Sequence, residues 1–146
     1  MTLIIVTPTE MVADSWALTG DQFCLVSSPK ISRCPAGIVG ASGSTALCTE
    51  FMNEFLEGKI PKFLRARPED YERFCGVVLL NSGVLQVWDS LCRVYIEKCF
   101  PFMCGSLAAS NMAFGAMAAG ATARRAMEIA IENCITIGGP IVELEL

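Results

Sequence analysis

The sequence of 146 residues contains no histidine. Catalysis by Ser-His-Asp or Cys-His groups is therefore excluded, and so is metal binding through imidazole. No two of its eight cysteines are spaced Cys-x-x-Cys, so we expect no zinc cluster, no other metal and no cofactor. Most of these cysteines lie in apolar stretches, where a reduced and buried thiol is the usual state.

Charge is also scarce, at 18% of the residues, and no run of basic residues is present. With a net charge of −4 we expect no nucleic-acid partner, because such a surface would not release phosphate counterions. The apolar runs fall short of the roughly 20 residues that a spanning helix needs, so we expect no membrane contact. No signal peptide is recognised before the first apolar run. We therefore expect a cytoplasmic protein with free thiols.

Apolar residues, in contrast, make up 53% of the chain. The length fits a single domain over residues 1–146, large enough to bury one substantial core. The apolar residues in excess are mainly Ala, Met and Val. This excess suggests that other subunits cover some faces of the molecule.

The first residues carry a possible reactive group. Met1 precedes the small residue Thr2, a start that aminopeptidases trim, and an apolar β-branched run follows. Trimming would leave Thr2 with its hydroxyl beside a free α-amine. The reference pKa of an α-amine, about 7.7 to 8.0, lets it accept a proton near neutrality. One residue could then serve as both nucleophile and base.

Periodicity and turn residues predict an α+β protein whose antiparallel sheets pack between helical layers. Strands are predicted at 3–6, 10–14, 23–26, 31–40 (with a turn at 34–37), 76–80, 84–88, 92–97, 100–103, 134–137 and 141–144. Helices are predicted at 45–57, 108–119 and 123–133, the last capped by Thr122. Residues 14–21 are predicted to be a loop. Residues 59–73 are predicted to be an exposed connection with at most one helical turn.

Small residues fill the stretch from Gly40 to Ser44, between a predicted strand and a predicted helix. Such a turn presents unpaired backbone N–H groups, which suit an anion or a developing oxyanion. Small residues at such a turn are more often there for tight packing. Both interpretations remain open at this point.

Six features together resemble a known family. They are the Thr2 hairpin, Ala13-Asp14-Ser15, Lys30, Gly40-Ala41-Ser42-Gly43-Ser44, Cys104-Gly105-Ser106 and Cys134-Ile135-Thr136-Ile137-Gly138-Gly139-Pro140. In this order and spacing they resemble the proteasome β subunits and their simpler bacterial relatives, the N-terminal-nucleophile hydrolases. The resemblance runs from Thr2 to Leu146. It implies a four-layer αββα sandwich, with the helix after residue 59 shortened or missing.

The resemblance also implies roles for five residues. Thr2 would be the nucleophile and base, tuned by Lys30 and Asp14. A cation beside Thr2 would lower the pKa of hydroxyl and amine together, and Asp14 would keep the lysine charged. Gly40 would supply the oxyanion N–H, and Ser106 would lie near the amine, although it could equally be a helix cap.

By the same resemblance, a peptide substrate would lie extended beside the loop after Asp14 and the strand before the glycine turn. Ala17, Thr19, Ile38 and Ser42 would form its binding site. The first pocket would be small and apolar, which predicts an apolar residue before the cleaved bond.

The leading hypothesis is a threonine endopeptidase enclosed in a homo-oligomeric ring or in stacked rings. Its substrate would be unfolded polypeptide, fed by an ATP-dependent unfoldase. The second hypothesis is a ring-forming structural homologue without activity. Cys134 and Ile137 favour it, because the family has an aspartate and a hydroxyl residue at those positions. A third reading, an amidohydrolase acting on a small amide, also stays open.

Overall fold

Two antiparallel sheets pack face to face at the centre of the computed structural model, which describes residues 1–19, 22–27, 29–62 and 74–146. Of residues 18, 19 and 22–27 only the backbone is described. The strands are β1 Leu3–Val6, β2 Glu10–Ala13, β3 Trp16–Thr19, β4 Gln22–Ser27, β5 Ile31–Cys34, β6 Gly37–Ser42, β7 Cys75–Leu80, β8 Leu85–Trp88, β9 Val94–Glu97, β10 Phe102–Gly105 and β11 Val142–Glu145. The helices are α1 Thr45–Leu56, α2 Leu107–Ala118 and α3 Ala123–Asn133.

The strand order in the first sheet is β10-β1-β2-β11, which puts the N-terminal strand inside the sheet. Leu3 and Ile5 pack against α2 and α3, whereas Ile4 and Val6 pack against the second sheet. Both faces of β1 are therefore covered. This explains why β1 is a continuous apolar run instead of an alternating one.

The second sheet has the order β5-β6-β7-β8-β9 and carries α1 on its outer face. Phe51 and Phe55 of α1 contact the ring of Trp88, with ring centroids 6.0 and 5.6 Å apart. Gly76 permits this packing, since a Cβ there would lie 2.6 Å from the Phe51 ring. The layers are thus α1, five strands, four strands, then α2 with α3. The predicted α+β αββα sandwich is confirmed.

Most predicted elements are present with bounds shifted by one or two residues. The predicted N-cap of α3 is confirmed, because the Thr122 hydroxyl accepts from the Arg125 N–H at 3.2 Å. Residues 63–73, with the predicted helical turn, lie outside the described residues, as do Gly20 and Asp21. None of the helices in the described ranges is long and apolar enough to cross a membrane.

Two predictions of secondary structure are wrong. Residues 16–19 were expected in a loop but form β3, which pairs with β4 in a two-stranded sheet. Residues 134–137 were expected to be a strand but form the turn after α3. Cys134 and Ile137 are nevertheless buried against α2 and α3, so their apolar character serves packing rather than a strand ladder.

Candidate active site

The backbone of Thr2 is fixed where β1 begins. Its carbonyl oxygen accepts the Ser106 N–H at 2.7 Å, and the next residue, Leu3, pairs with Gly105 of β10. Gly105 has φ +120°, a conformation that residues with a side chain rarely adopt. Thr2 therefore lies against the turn that leads into α2.

Asp14 immediately follows β2 and is completely buried. Its carboxylate accepts the Leu3 N–H at 2.8 Å and the Gly138 N–H at 3.2 Å. These bonds connect the residue after Thr2 to a turn near the other end of the chain. Both carboxylate oxygens also accept from Lys30 Nζ, at 2.9 and 2.8 Å. The charge on Asp14 is thus matched by three donors.

Lys30 immediately precedes β5, and only 8% of it is exposed. Besides Asp14, its Nζ donates to the carbonyl oxygen of Met1 at 2.8 Å. Burial lowers the pKa of Lys30, and the neighbouring Asp14 opposes that shift. The ammonium group consequently lies against the peptide bond between Met1 and Thr2.

The α-amine of Met1 belongs to the same cluster. Burial, and then the charge of Lys30, lower its pKa, while Asp14 and Cys134 act in the opposite direction. An amine in this part of the molecule is therefore kept more often neutral than one in water.

A chain of polar side chains flanks this cluster. The Ser106 hydroxyl lies 3.4 Å from the Thr136 hydroxyl, which in turn lies 3.0 Å from the Cys134 sulfur. Hydrogen bonds from Thr136, and a further one from Ser106, lower the pKa of Cys134. Thr136 was not among the predicted site residues. The sequence offered one sign of its role, because Thr136 is the only hydroxyl residue in the otherwise apolar stretch 134–137.

A pocket of about 290 Å³ opens beside Thr2. Of the predicted residues, Thr2, Ala17 and Lys30 line it. One wall is formed by α1, through Thr45, Cys48, Thr49, Met52, Asn53 and Leu56. A small apolar pocket was predicted; the observed volume has room for a large side chain, and Met52 and Leu56 give its wall apolar surface. Burial raises the pKa of the Cys48 thiol to about 12, which keeps this group uncharged.

Asp14 and Ser106 do not line this pocket themselves, and three further predicted residues face the core instead. Ile38 is buried in the core between the two sheets. A Cβ on Gly40 would point the same way, to within 3.2 Å of Ile4 Cδ1. Ser42 is buried on this side too, where its hydroxyl bonds to Cys104. The even-numbered residues of β6 therefore face the other sheet, because side chains alternate along a strand.

Ala41, on the opposite face of β6, and Gly43, just after the strand, line the pocket instead. Gly43 has φ +127° and lies between the end of β6 and the start of α1. Gly40, in contrast, pairs with Ile31 on one side and Val77 on the other. Gly43 thus replaces Gly40 as the glycine beside Thr2. The side chain of Thr19 lies outside the described part of the chain.

One acidic group has a spacing that could hold a metal ion in the described ranges. Oxygens of Glu10, Glu143 and Glu145 lie within 4.8 Å of one another on β2 and β11. None of these residues lines the pocket. Glu143 also forms an ion pair with Arg124 at 2.9 Å.

Comparisons with known proteins give a likeness in structure but not in sequence. No family model matches the chain, and no curated protein matches it. Among solved structures, it is similar to eukaryotic HslV from Trypanosoma brucei, with a TM-score of 0.66 and 21% identity over 100% of both chains.

It is also similar to Thiobacillus denitrificans BPH, with a TM-score of 0.70 and 16% identity over 100% of this chain and 97% of that one. A structure of that protein in complex with epoxomicin has a TM-score of 0.67 and 14% identity, over 99% of this chain and 97% of that one. At these identities the likeness establishes the fold.

Proposed function

We propose that this chain, whose fold is that of the proteasome β-subunit-like hydrolases, is a threonine endopeptidase acting through Thr2 after removal of Met1. The observation that carries the proposal is the buried pair of Lys30 and Asp14 beside the Met1–Thr2 peptide bond. A buried ammonium group kept charged by a carboxylate is costly to maintain away from water. The ammonium group lies next to Thr2, where it would assist the reaction of the threonine hydroxyl.

In the proposed reaction, the Thr2 hydroxyl attacks a peptide carbonyl while the α-amine of Thr2 takes its proton. The leaving amine receives that proton, and an ester joins the substrate to Thr2. Water, deprotonated by the same amine, then hydrolyses the ester and regenerates the hydroxyl. Lys30 lowers the pKa of both reacting groups of Thr2. Gly43, just before α1, is suited to donate its N–H to the oxyanion.

We further propose that residues 1–146 form a single domain that assembles into a homo-oligomeric ring or a stack of such rings. An exposed apolar face on α2 supports this, with Leu107 76% and Phe114 55% exposed. The strand at the edge of the five-stranded sheet, β9, also exposes Val94, Tyr95 and Ile96. Enclosure would restrict the site to unfolded polypeptide, delivered by an ATP-dependent unfoldase.

The cytoplasm is the proposed compartment. The cysteines lie mostly in apolar stretches, where a reduced thiol is the usual state, and a reducing compartment keeps thiols in that state.

A ring-forming homologue without activity is the second candidate. Ile137 favours it, because this residue is buried in the core beside α3 and carries no hydroxyl. The family that the sequence resembles has a hydroxyl residue at this position, which normally supports the reacting amine. The buried Lys30–Asp14 pair argues against this candidate. In a purely structural subunit, apolar residues at these positions would stabilise the fold at least as well.

Intact mass and a peptide epoxyketone separate the two candidates. We expect the purified protein to have lost Met1 and to gain the mass of one epoxyketone molecule, because this reagent bonds to both the hydroxyl and the free amine of an N-terminal threonine. The Thr2→Ala variant, matched in every other respect, should gain nothing. If Met1 is retained, a fusion cleaved to leave Thr2 first is used. A protein with a confirmed Thr2 terminus and no adduct would leave only the structural candidate.

The pocket predicts which peptides are cleaved. Lys30 is the only charged residue among its described lining residues, and its charge is matched by Asp14. An added charge would find no unmatched charge of opposite sign among the described lining residues, whereas a large apolar side chain would meet Ala17, Met52 and Leu56. For peptides differing only in the residue before the cleaved bond, we expect kcat/KM for Leu to exceed that for Ala by about tenfold or more. Arg and Glu peptides should be the poorest substrates.

Thr49 allows a matched test of this preference, because it is exposed and lies on the α1 wall. Thr49→Leu should reduce kcat/KM for the Leu peptide more than for the Ala peptide, since the larger side chain takes up part of the pocket from the α1 wall. A preference for Arg or Glu in the unaltered protein would contradict the predicted specificity while leaving the threonine chemistry intact.

A further inference from the structure

Ser106 occupies the N-cap position of α2 but does not cap the helix. Its backbone has the extended conformation of a cap, with φ −62° and ψ 121°, yet its side chain makes no capping hydrogen bond. Thr122 at the start of α3 makes that bond, to the Arg125 N–H. A side-chain cap stabilises a helix by about 1 kcal/mol. The Ser106 hydroxyl is therefore held in a position that gives up this stabilisation.

This hydroxyl is turned towards Thr136 and Cys134. Its oxygen lies 3.4 Å from the Thr136 oxygen, which lies 3.0 Å from the Cys134 sulfur, and Ser106 also bonds to that sulfur. A separation of 3.4 Å is long for a strong hydrogen bond, as is common in catalytic groups before substrate binds.

Thr136 is itself firmly placed. The next residue, Ile137, is 1% exposed in the core beside α3. The residue after that, Gly138, donates to Asp14 and accepts the Ser15 and Trp16 N–H groups at 3.0 and 2.9 Å. The turn carrying Thr136 is thus anchored to the segment that holds Asp14.

Ser106 is also adjacent to the reacting residue, because its N–H donates to the Thr2 carbonyl oxygen at 2.7 Å. We propose that Thr136 is a positioning residue, whose hydroxyl holds the Ser106 side chain beside the amino end of Thr2 and away from the helix cap. Without that hydroxyl, rotation about the Ser106 Cα–Cβ bond offers a second staggered position, in which Ser106 accepts an N–H of the first turn of α2. The consequence for catalysis rests on the proposed function.

The test compares Thr136→Val, which keeps the shape and removes the hydroxyl, with Thr136→Ser, which keeps the hydroxyl. On protein with a confirmed Thr2 terminus, we expect Thr136→Val to lower kcat by about tenfold to a hundredfold with KM unchanged, because Thr136 does not line the pocket. Thr136→Ser should restore kcat to within about threefold of the unaltered protein. Thr122→Val is the matched control. It removes the cap of α3, so it should lower the melting temperature and leave kcat unchanged.

A crystal structure of Thr136→Val gives a second measurement that does not depend on activity. We expect the Ser106 oxygen to lie within hydrogen-bond distance of the N–H of Ala108 or Ala109. A Ser106 side chain that stays in place would overturn the inference, even if the protein proves to be a peptidase. So would an unchanged kcat in Thr136→Val, or an equal loss of kcat in Thr136→Ser or Thr122→Val. A missing epoxyketone adduct on the unaltered protein would instead count against the proposed function.

Discussion

Replacing Lys30 by methionine is expected to slow the reaction of Thr2 with an epoxyketone by about a hundredfold to ten-thousandfold, the range of a lost acid–base contribution. The ammonium group is 2.8 Å from the carbonyl oxygen that precedes Thr2. Without it, the pKa values of the Thr2 hydroxyl and amine would rise towards their values in water. A hydroxyl with a higher pKa gives up its proton less readily, and an amine with a higher pKa is protonated more of the time. The adduct rate, followed by intact mass, measures this loss.

The same substitution should also destabilise the fold, and a second variant separates the two effects. Lys30→Met leaves the Asp14 carboxylate buried without its cation, which costs about 3 to 5 kcal/mol. Asp14→Asn leaves the buried cation unmatched. The double variant removes both charges, but its one amide oxygen can accept from only one of Leu3 and Gly138, which bond to different oxygens of the Asp14 carboxylate. We therefore expect its free energy of unfolding to recover part of the loss while its adduct rate stays low.

An exposed pair supplies the control for this experiment. Lys59 and Glu57 form an ion pair in which both side chains are 60% exposed. Lys59→Met should change neither the urea midpoint nor the adduct rate, since exposed pairs contribute little. A double Lys30→Met/Asp14→Asn variant that reacts at the unaltered rate would show that the buried pair serves stability alone.

The grouping of Thr2, Asp14 and Lys30 was predictable because each lies at the end of a strand that the sequence marks clearly. Thr2 precedes an apolar run, Asp14 ends a hairpin, and Lys30 follows a proline and begins the next hairpin. Their order along the chain resembles that of a known family. The structure brings the three together, with Lys30 and Asp14 2.8 Å apart.

The faces of β6 could not be predicted in the same way. The sequence suggests that this strand ends at Gly40, but β7 pairs with it as far as Ser42. Side chains alternate along a strand, so an error of one residue exchanges its two faces. The prediction assigned Ile38 and Ser42 to the pocket, but their face of the strand packs in the core. The information that decides the register lies in residues 75–80, which pair with β6 across a segment of more than thirty residues.

Contacts over long sequence separations also explain why Thr136 was missed. The bond between Asp14 and Gly138 joins residues 124 positions apart and fixes the turn at 134–137. Locally, Cys-Ile-Thr-Ile has the β-branched composition of a strand. Only the tertiary structure shows that the next residue, Gly138, bonds to the Asp14 segment and that residues 134–137 form a turn.

Gly105→Ala is expected to be among the most damaging single substitutions in the chain. A Cβ at this position would lie 1.9 Å from the Thr2 carbonyl oxygen and 2.7 Å from the carbonyl carbon. Both are backbone atoms within a sheet, so they have little freedom to move. The positive φ adds strain for any residue with a side chain. We expect a loss of about 3 kcal/mol or more in the free energy of unfolding, measured by urea denaturation.

Gly115→Ala is the matched control, because the same methyl group is added where nothing lies within 4 Å. Gly115 is inside α2, where alanine is favoured over glycine by about 0.5 to 1 kcal/mol, so this variant should be more stable than the unaltered protein. In Gly105→Ala molecules that still fold, the Thr2 backbone must move from its present position relative to Lys30. A displacement of about 1 Å can slow a positioned reaction roughly a hundredfold, so the adduct rate should fall as well. Unaltered stability and rate in Gly105→Ala would mean that Thr2 is not held against β10, which would remove the geometric basis for placing its amine beside Ser106.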